Sequence, residues 1–280
     1  MVRIGVHVSI AGSIERAVDR AREAGCDTFQ IFTRSPRGWH FKDLDPAPVD
    51  AFRAKLKASG IGPVVDHMPY LPNLATPDEE VYRKSVATLV AEFERCAQLG
   101  IPYLVTHLGH YSGSEKSDGF ARITGAIHTA LEHSKNDVML LLEITSGEKH
   151  TCGGTFEDIR FILEQVDDTT RLGVCVDTCH AFAAGYDLRT PAALDTTFGH
   201  FDSVIGLSRL KAVHLNDAKG ALGSHLDRHE HIGMGLIGEE GFRAILHHRV
   251  FASIPLICET PDDGKRDDAE EIRVVRELAR

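Results

Sequence analysis

No run of apolar residues in this 280-residue chain is long enough to span a bilayer, and no charged-then-apolar leader follows Met1. A cytoplasmic protein with no membrane contact is expected. Cysteine is scarce, at six, and never arranged as Cys-x-x-Cys, so reduced thiols are expected rather than a disulfide framework or a thiolate zinc site. No Gly-x-Gly-x-x-Gly follows the first apolar run, which removes the usual sign of a dinucleotide fold. Low-complexity linkers and internal repeats are missing too, so residues 1–280 are read as one domain. Positive charge is in deficit: the net charge of −10 argues against broad, nonspecific affinity for nucleic acid. That argument weakens if divalent cations sit together at one site, because they would concentrate the opposite charge there.

What the chain does have is an ordinary globular balance, 42% hydrophobic and 26% charged, with an unusual sixteen histidines. Apolar β-type runs alternate with helical patterns from end to end. Strands are expected at Arg3–Ser9, Thr28–Thr33, Pro63–His67, Tyr103–His107, Val138–Glu143, Leu172–Val176, Leu210–His214 and Pro255–Glu259. Helices are expected at Ser13–Ala24, Pro48–Ala58, Asp78–Leu99, Phe120–His133, Phe156–Gln165, after Pro191, around Glu239–His248 and at Asp268–Leu278. Eight strand–helix units of this size predict an α/β fold, a single (β/α)8 TIM barrel, with any site at the carboxyl ends of the strands.

Those ends carry His7, Thr33, His67, His107, Glu143, Asp177, His214 and Glu259. His180 follows Asp177 in what reads as a turn, Thr178-Cys179-His180, and Asp227-Arg228-His229 lies in the loop after the seventh strand. One histidine at a strand tip is more often a packed residue than a ligand. So many imidazoles and carboxylates on one face need bound cations to offset their charge. Five imidazoles (His67, His107, His180, His214, His229) with four carboxylates (Glu143, Asp177, Asp227, Glu259) suit zinc, and manganese or iron less well. Nine donors serve two or three ions with a bridging carboxylate. Clustered ions suit in-line displacement at phosphorus.

The segments LGVCVDTCHAFAAGYDLRTP (Leu172–Pro191), HLNDAKGALGSHLDRHEHIGMGLIG (His214–Gly238) and PLICET (Pro255–Thr260) resemble endonuclease IV, the zinc-dependent apurinic/apyrimidinic endonucleases of DNA repair. GVHVSIAGS near the start and FTRSPRGW at Phe32–Trp39 fit as well. The resemblance implies three zinc ions per chain: His67 and His107 on the first, Glu143 bridging to a second completed by Asp177, His214 and Glu259, and His180, Asp227 and His229 on the third. It implies hydrolysis of the phosphodiester 5′ to an abasic nucleotide in double-stranded DNA, with Glu143 and Glu259 at the reacting centre. It also implies a monomer without an obligate protein partner. Arg37 and Tyr70 match an Arg and a Tyr that enter the DNA; read alone, both are equally well packed loop residues. Lys219 and Arg228 are candidates for phosphate contacts.

The sequence departs from the family pattern at Ile144, where Asn is usual, at Leu108, Pro36 and Pro69, and across Ser146–Gly154. No proposed ligand is lost, so the departures bear on the surroundings of Glu143 and on the DNA-entering loops. The main rival is a sugar isomerase or epimerase of the same barrel class, which needs only Glu143, Asp177, His214 and Glu259. A non-catalytic metal- or DNA-binding module is a further alternative.

Overall fold

The computed structural model describes residues 2–280. Strands β1 (Arg3–Val6), β2 (Phe29–Ile31), β3 (Val64–His67), β4 (Tyr103–Thr106), β5 (Met139–Glu143), β6 (Leu172–Asp177), β7 (Leu210–His214) and β10 (Pro255–Cys258) form one parallel eight-stranded sheet. Between them run α1 (Arg16–Ala24), α2 (Pro46–Ser59), α3 (Glu79–Leu99), α4 (Lys116–His133), α5 (Phe156–Gln165), α6 (Thr178–Ala184), α7 (Pro191–Val204) and α8 (Gly238–His247), with α9 (Asp268–Leu278) closing the chain. The loop after β7 adds a small antiparallel pair, β8 (Asp217–Ala218) with β9 (His229–Glu230). β1 pairs with β10, so the first strand meets the last, as a TIM barrel requires. The ring is completed between β1 and β2 by a single bridge, His7 to Gln30. Gly5 is required at that seam: a Cβ there would lie 1.9 Å from the Thr28 carbonyl oxygen.

The strands are apolar on both faces because both faces are covered. Val65, Val105, Leu141, Cys175 and Ala212 fill the barrel interior, while a larger core packs the outer strand faces against the helices. Local chemistry sets the helix ends. Asp78, Thr155 and Thr190 cap α3, α5 and α7 by accepting backbone N–H bonds, and Asp267 with Glu270 forms a capping box on α9. Gly25, Gly60 and Gly100 end α1, α2 and α3 in the left-handed conformation.

Several element ends shift by two or three residues, and two expectations change more. Thr178–His180 is not a turn: α6 starts at Thr178, immediately after β6, because Asp177 accepts the His180 N–H at 2.8 Å and caps the helix as the strand ends. Helix α4 begins at Lys116 rather than Phe120, its polar first turn having hidden it in the sequence. All six cysteines are free and buried.

Candidate metal centre

Glu143 ends β5 fully buried, with four imidazoles around its carboxylate. Its Oε2 lies 3.1 Å from His67 Nε2 at the tip of β3 and 3.0 Å from His107 Nε2 just past β4. Its Oε1 lies 2.9 Å from His214 Nδ1 at the tip of β7 and 3.4 Å from His180 Nδ1 on α6. His214 Nδ1 also stands 3.2 Å from Glu259 Oε2 and 3.9 Å from Asp177 Oδ2. Asp227 Oδ1, in the loop before β9, is 3.2 Å from His180 Nε2 and 3.6 Å from His229 Nε2. All nine donors expected from the sequence therefore meet in one mouth. The close groups they form include His67/His107/Glu143, Glu143/Asp177/His214/Glu259 and His180/Asp227/His229, and also His67/His214/Glu259 and Asp177/Cys179/His229, each with its donor atoms within 4.8 Å of one another.

The ring nitrogens test whether this chemistry suits a cation. His67 Nδ1 donates to the Met68 carbonyl at 2.7 Å, His180 Nδ1 to that of Ile144 at 3.0 Å, and His229 Nδ1 to that of Glu259 at 3.0 Å. A carbonyl only accepts, so each Nδ1 carries the proton and each Nε2 turns a lone pair inward. His180 Nε2 and His229 Nε2 face each other at 3.4 Å beside the Asp227 carboxylate. Lone pairs confronting lone pairs and a carboxylate call for a shared cation.

Protons on the imidazoles are the other means of offsetting these carboxylates. Burial opposes charge on His180 and His214, yet neighbouring carboxylates, Asp177 foremost for His180 and Glu259 with Glu143 for His214, lift both well above the ordinary imidazole range. Burial would raise the Glu143 carboxyl, but His107 and His214 hold it well below the usual range. Glu259 is lowered likewise, burial being outweighed by His214 and His7.

Two groups that the sequence did not flag hold this arrangement. Gln30, buried in β2, donates Nε2 to Glu259 Oε1 at 2.6 Å, which turns its Oε1 to accept His214 Nε2–H at 2.8 Å. Asn216 donates Nδ2 to Asp177 Oδ2 at 2.7 Å and accepts the Glu259 backbone N–H at 2.7 Å. Ile144 is buried and serves through its backbone carbonyl, so the position that departs from the family pattern still supplies an acceptor to His180. Asp217 folds the β7–α8 loop, accepting the N–H groups of Gly233, Gly235 and Ile237 at 2.8–3.0 Å. A Cβ on Gly235 would strike the Ala218 carbonyl and the Asp217 carboxylate, each at 2.5 Å.

The mouth opens into a cavity of about 310 Å³ lined by His7, Phe32, Tyr70, His107, Asp227 and Glu259 among others. Tyr70, 67% exposed, stands at its rim with its ring edge-on to Phe32 at 5.1 Å. Arg37 is exposed on the loop between β2 and α2. Lys219 and Arg228 are exposed on the β7–α8 loop: Lys219 Nζ is 3.8 Å from Glu230, and Arg228 donates to the Asp227 carbonyl at 2.8 Å. Thr33 turns away from the mouth, into a buried polar cluster against α3.

A family profile described as a xylose isomerase-like TIM barrel matches residues 18–278. A probable endonuclease 4 of Methanoculleus marisnigri is 61% identical, covering all of this chain and 99% of its own. One from Nitrosopumilus maritimus is 52% identical, covering 99% and 100%. Among solved structures, endonuclease IV from Thermus thermophilus matches with a TM-score of 0.87 and 38% identity, over 99% of this chain and 98% of that one. An L-ribulose 3-epimerase matches at a TM-score of 0.73 but 20% identity, which shares the barrel alone. Similar to these endonucleases over nearly its whole length, the chain belongs to the endonuclease IV family.

Proposed function

We propose that this protein is an apurinic/apyrimidinic endonuclease of base excision repair. It hydrolyses the DNA phosphodiester 5′ to an abasic nucleotide, leaving a 3′-hydroxyl and a 5′-deoxyribose phosphate. The observation that carries the reading is the convergence of nine donors in one mouth, five more than the four on which a sugar isomerase of this barrel relies. We assign three zinc ions, with manganese or iron able to replace them in part. His67, His107 and Glu143 would hold the first, Glu143, Asp177, His214 and Glu259 the second, and His180, Asp227 and His229 the third. When bound, the metals supply Lewis acidity to the attacking water and to the phosphate oxygens.

The chain's own residues do the rest. Glu143 and Glu259, as carboxylates facing the reacting centre, orient the attacking water. Gln30 and Asn216 fix the carboxylates and His214 in place before substrate arrives, so little reorganisation is needed. Arg37 and Tyr70 enter the duplex and fill the space left by the extruded abasic nucleotide, with Phe32 backing the tyrosine. Lys219 and Arg228 bind flanking phosphates. The protein works as a single domain and a monomer in the cytoplasm; among the described residues, no helix is long and apolar enough to cross a membrane.

The test is a duplex carrying one tetrahydrofuran abasic analogue, which cannot undergo β-elimination. A single cut on its 5′ side, lost on prolonged chelation and restored by zinc, is expected. No cut from a folded, zinc-loaded sample overturns the proposal. One ion per chain together with ketose epimerisation would replace it with the sugar-isomerase reading.

A further inference from the structure

The loop between β2 and α2, residues 32–45, carries Arg37 at its exposed middle, yet both of its stems are tied to one buried side chain of α3. Arg95 donates Nη2 to the Thr33 carbonyl at 2.5 Å and Nε to the Thr33 hydroxyl at 2.8 Å. Its Nη1 donates to the Lys42 carbonyl at 3.0 Å. A single guanidinium thus staples the ascending stem to the descending one, a task that needs its rigid fork of donors. The rest of the cluster locks the staple. Thr33 Oγ1 donates to Glu92, Arg34 Nε lies 2.6 Å from Glu92 Oε1, and Asp66 Oδ1 accepts the Thr33 N–H at 3.1 Å. Phe41, near the far stem, lies beneath both guanidiniums, 4.0 Å from that of Arg34 and 5.6 Å from that of Arg95. Two arginines and two acidic side chains make up the cluster, and all four are buried. Asp66 precedes His67 on β3, and successive strand residues face opposite ways, so one strand serves the clamp on one face and the mouth on the other.

Resting on the endonuclease reading above, we propose that Arg95, with Glu92 and Asp66, is the positioning device for DNA recognition: it holds the Arg37 loop over the mouth in the free protein, so that binding need not order it. A loop fixed in advance spares the ordering entropy that would otherwise weaken binding.

The experiment compares wild type, Arg95→Lys, Arg37→Ala and the double variant on the tetrahydrofuran duplex. Lysine keeps the charge but cannot reach both stems. Arg95→Lys is expected to raise Kd and KM about tenfold, with kcat at saturating duplex, bound metal and hydrolysis of bis(p-nitrophenyl) phosphate unchanged. The double variant should bind no worse than Arg37→Ala, because the clamp acts through that arginine. Trypsin cleavage after Arg37 should accelerate in Arg95→Lys, which reads loop order without DNA. Wild-type affinity in Arg95→Lys, or losses that multiply independently with Arg37→Ala, overturns the proposal. If Arg95→Lys does not fold, Phe41→Ala loosens the far stem without stranding a buried charge and is judged by the same criteria. A wild type that neither binds nor cuts the duplex overturns the endonuclease reading, and the clamp's role in recognition with it; unchanged trypsin cleavage overturns the clamp alone.

Discussion

Gln30 carries no charge, yet its amide spans Glu259, His214 and His7, whose Nδ1 lies 3.0 Å away. Gln30→Leu keeps the volume and removes all three hydrogen bonds, so Glu259 and His214 lose their fixed orientation. Metal affinity or nicking should fall roughly 10–100-fold, with the fold retained, as chelator competition and circular dichroism would show. Glu259→Gln should cost more, on the order of 10²–10³ in nicking, because it removes a charge from the mouth itself; near-normal nicking would sink the assignment of the second ion. The two cases show what was legible. Glu259 stands at a strand end, where the change from apolar to ionisable residues announces a mouth. Gln30 sits inside an apolar run, where a lone amide has no pattern to mark it. Thr33 makes a related point: a position near a strand end does not say which way the chain turns next, and here it turns into the Arg95 clamp.

At the level of elements, the junction of β6 and α6 makes one carboxylate do two jobs. Asp177 Oδ1 caps α6 through the His180 N–H, while Oδ2 takes the Asn216 amide and faces the donors of the mouth. Asp177→Asn retains an oxygen for the cap and lacks the charge; Asp177→Ala lacks both. In chelated protein both variants lose the charge that pairs with the His180 imidazolium and should unfold more easily than wild type, the Ala variant by about 1 kcal/mol more than the Asn variant because it also lacks the cap, while both bind less metal. Equal loss of stability in the two variants would exclude the capping role. The sequence placed both Asp177 and His180 near the site but read their link as a turn, since a strand that passes into a helix with no intervening loop leaves no Gly or Pro to mark the change.

For the whole molecule, the clearest lever is removal of metal. Chelated protein keeps its mouth together with imidazolium–carboxylate pairs. His180 and His214 have raised folded-state values, so their contribution is complete below the unfolded imidazole value, about 6.5, and is lost as pH rises through the folded values. Glu143 and Glu259 are depressed, so theirs is present above the ordinary carboxylate range and lost as pH falls. The Tm of chelated protein should therefore drop as pH is raised from neutral, whereas the metal-loaded protein, whose ions replace those protons, should hold. Parallel curves would contradict this account. The seam between β1 and β2 carries a different consequence, one of timing. β1 takes its full ladder from β10 and only one bridge from β2, so on the ribosome the earliest strand keeps most of its ladder open until the latest has emerged. Glu259 arrives with that same strand, so closure of the ring and completion of the donor set fall in one late step of synthesis. Nascent chains stalled before Pro255 should thus be digested readily by protease, and chains released after α9 is complete should resist it.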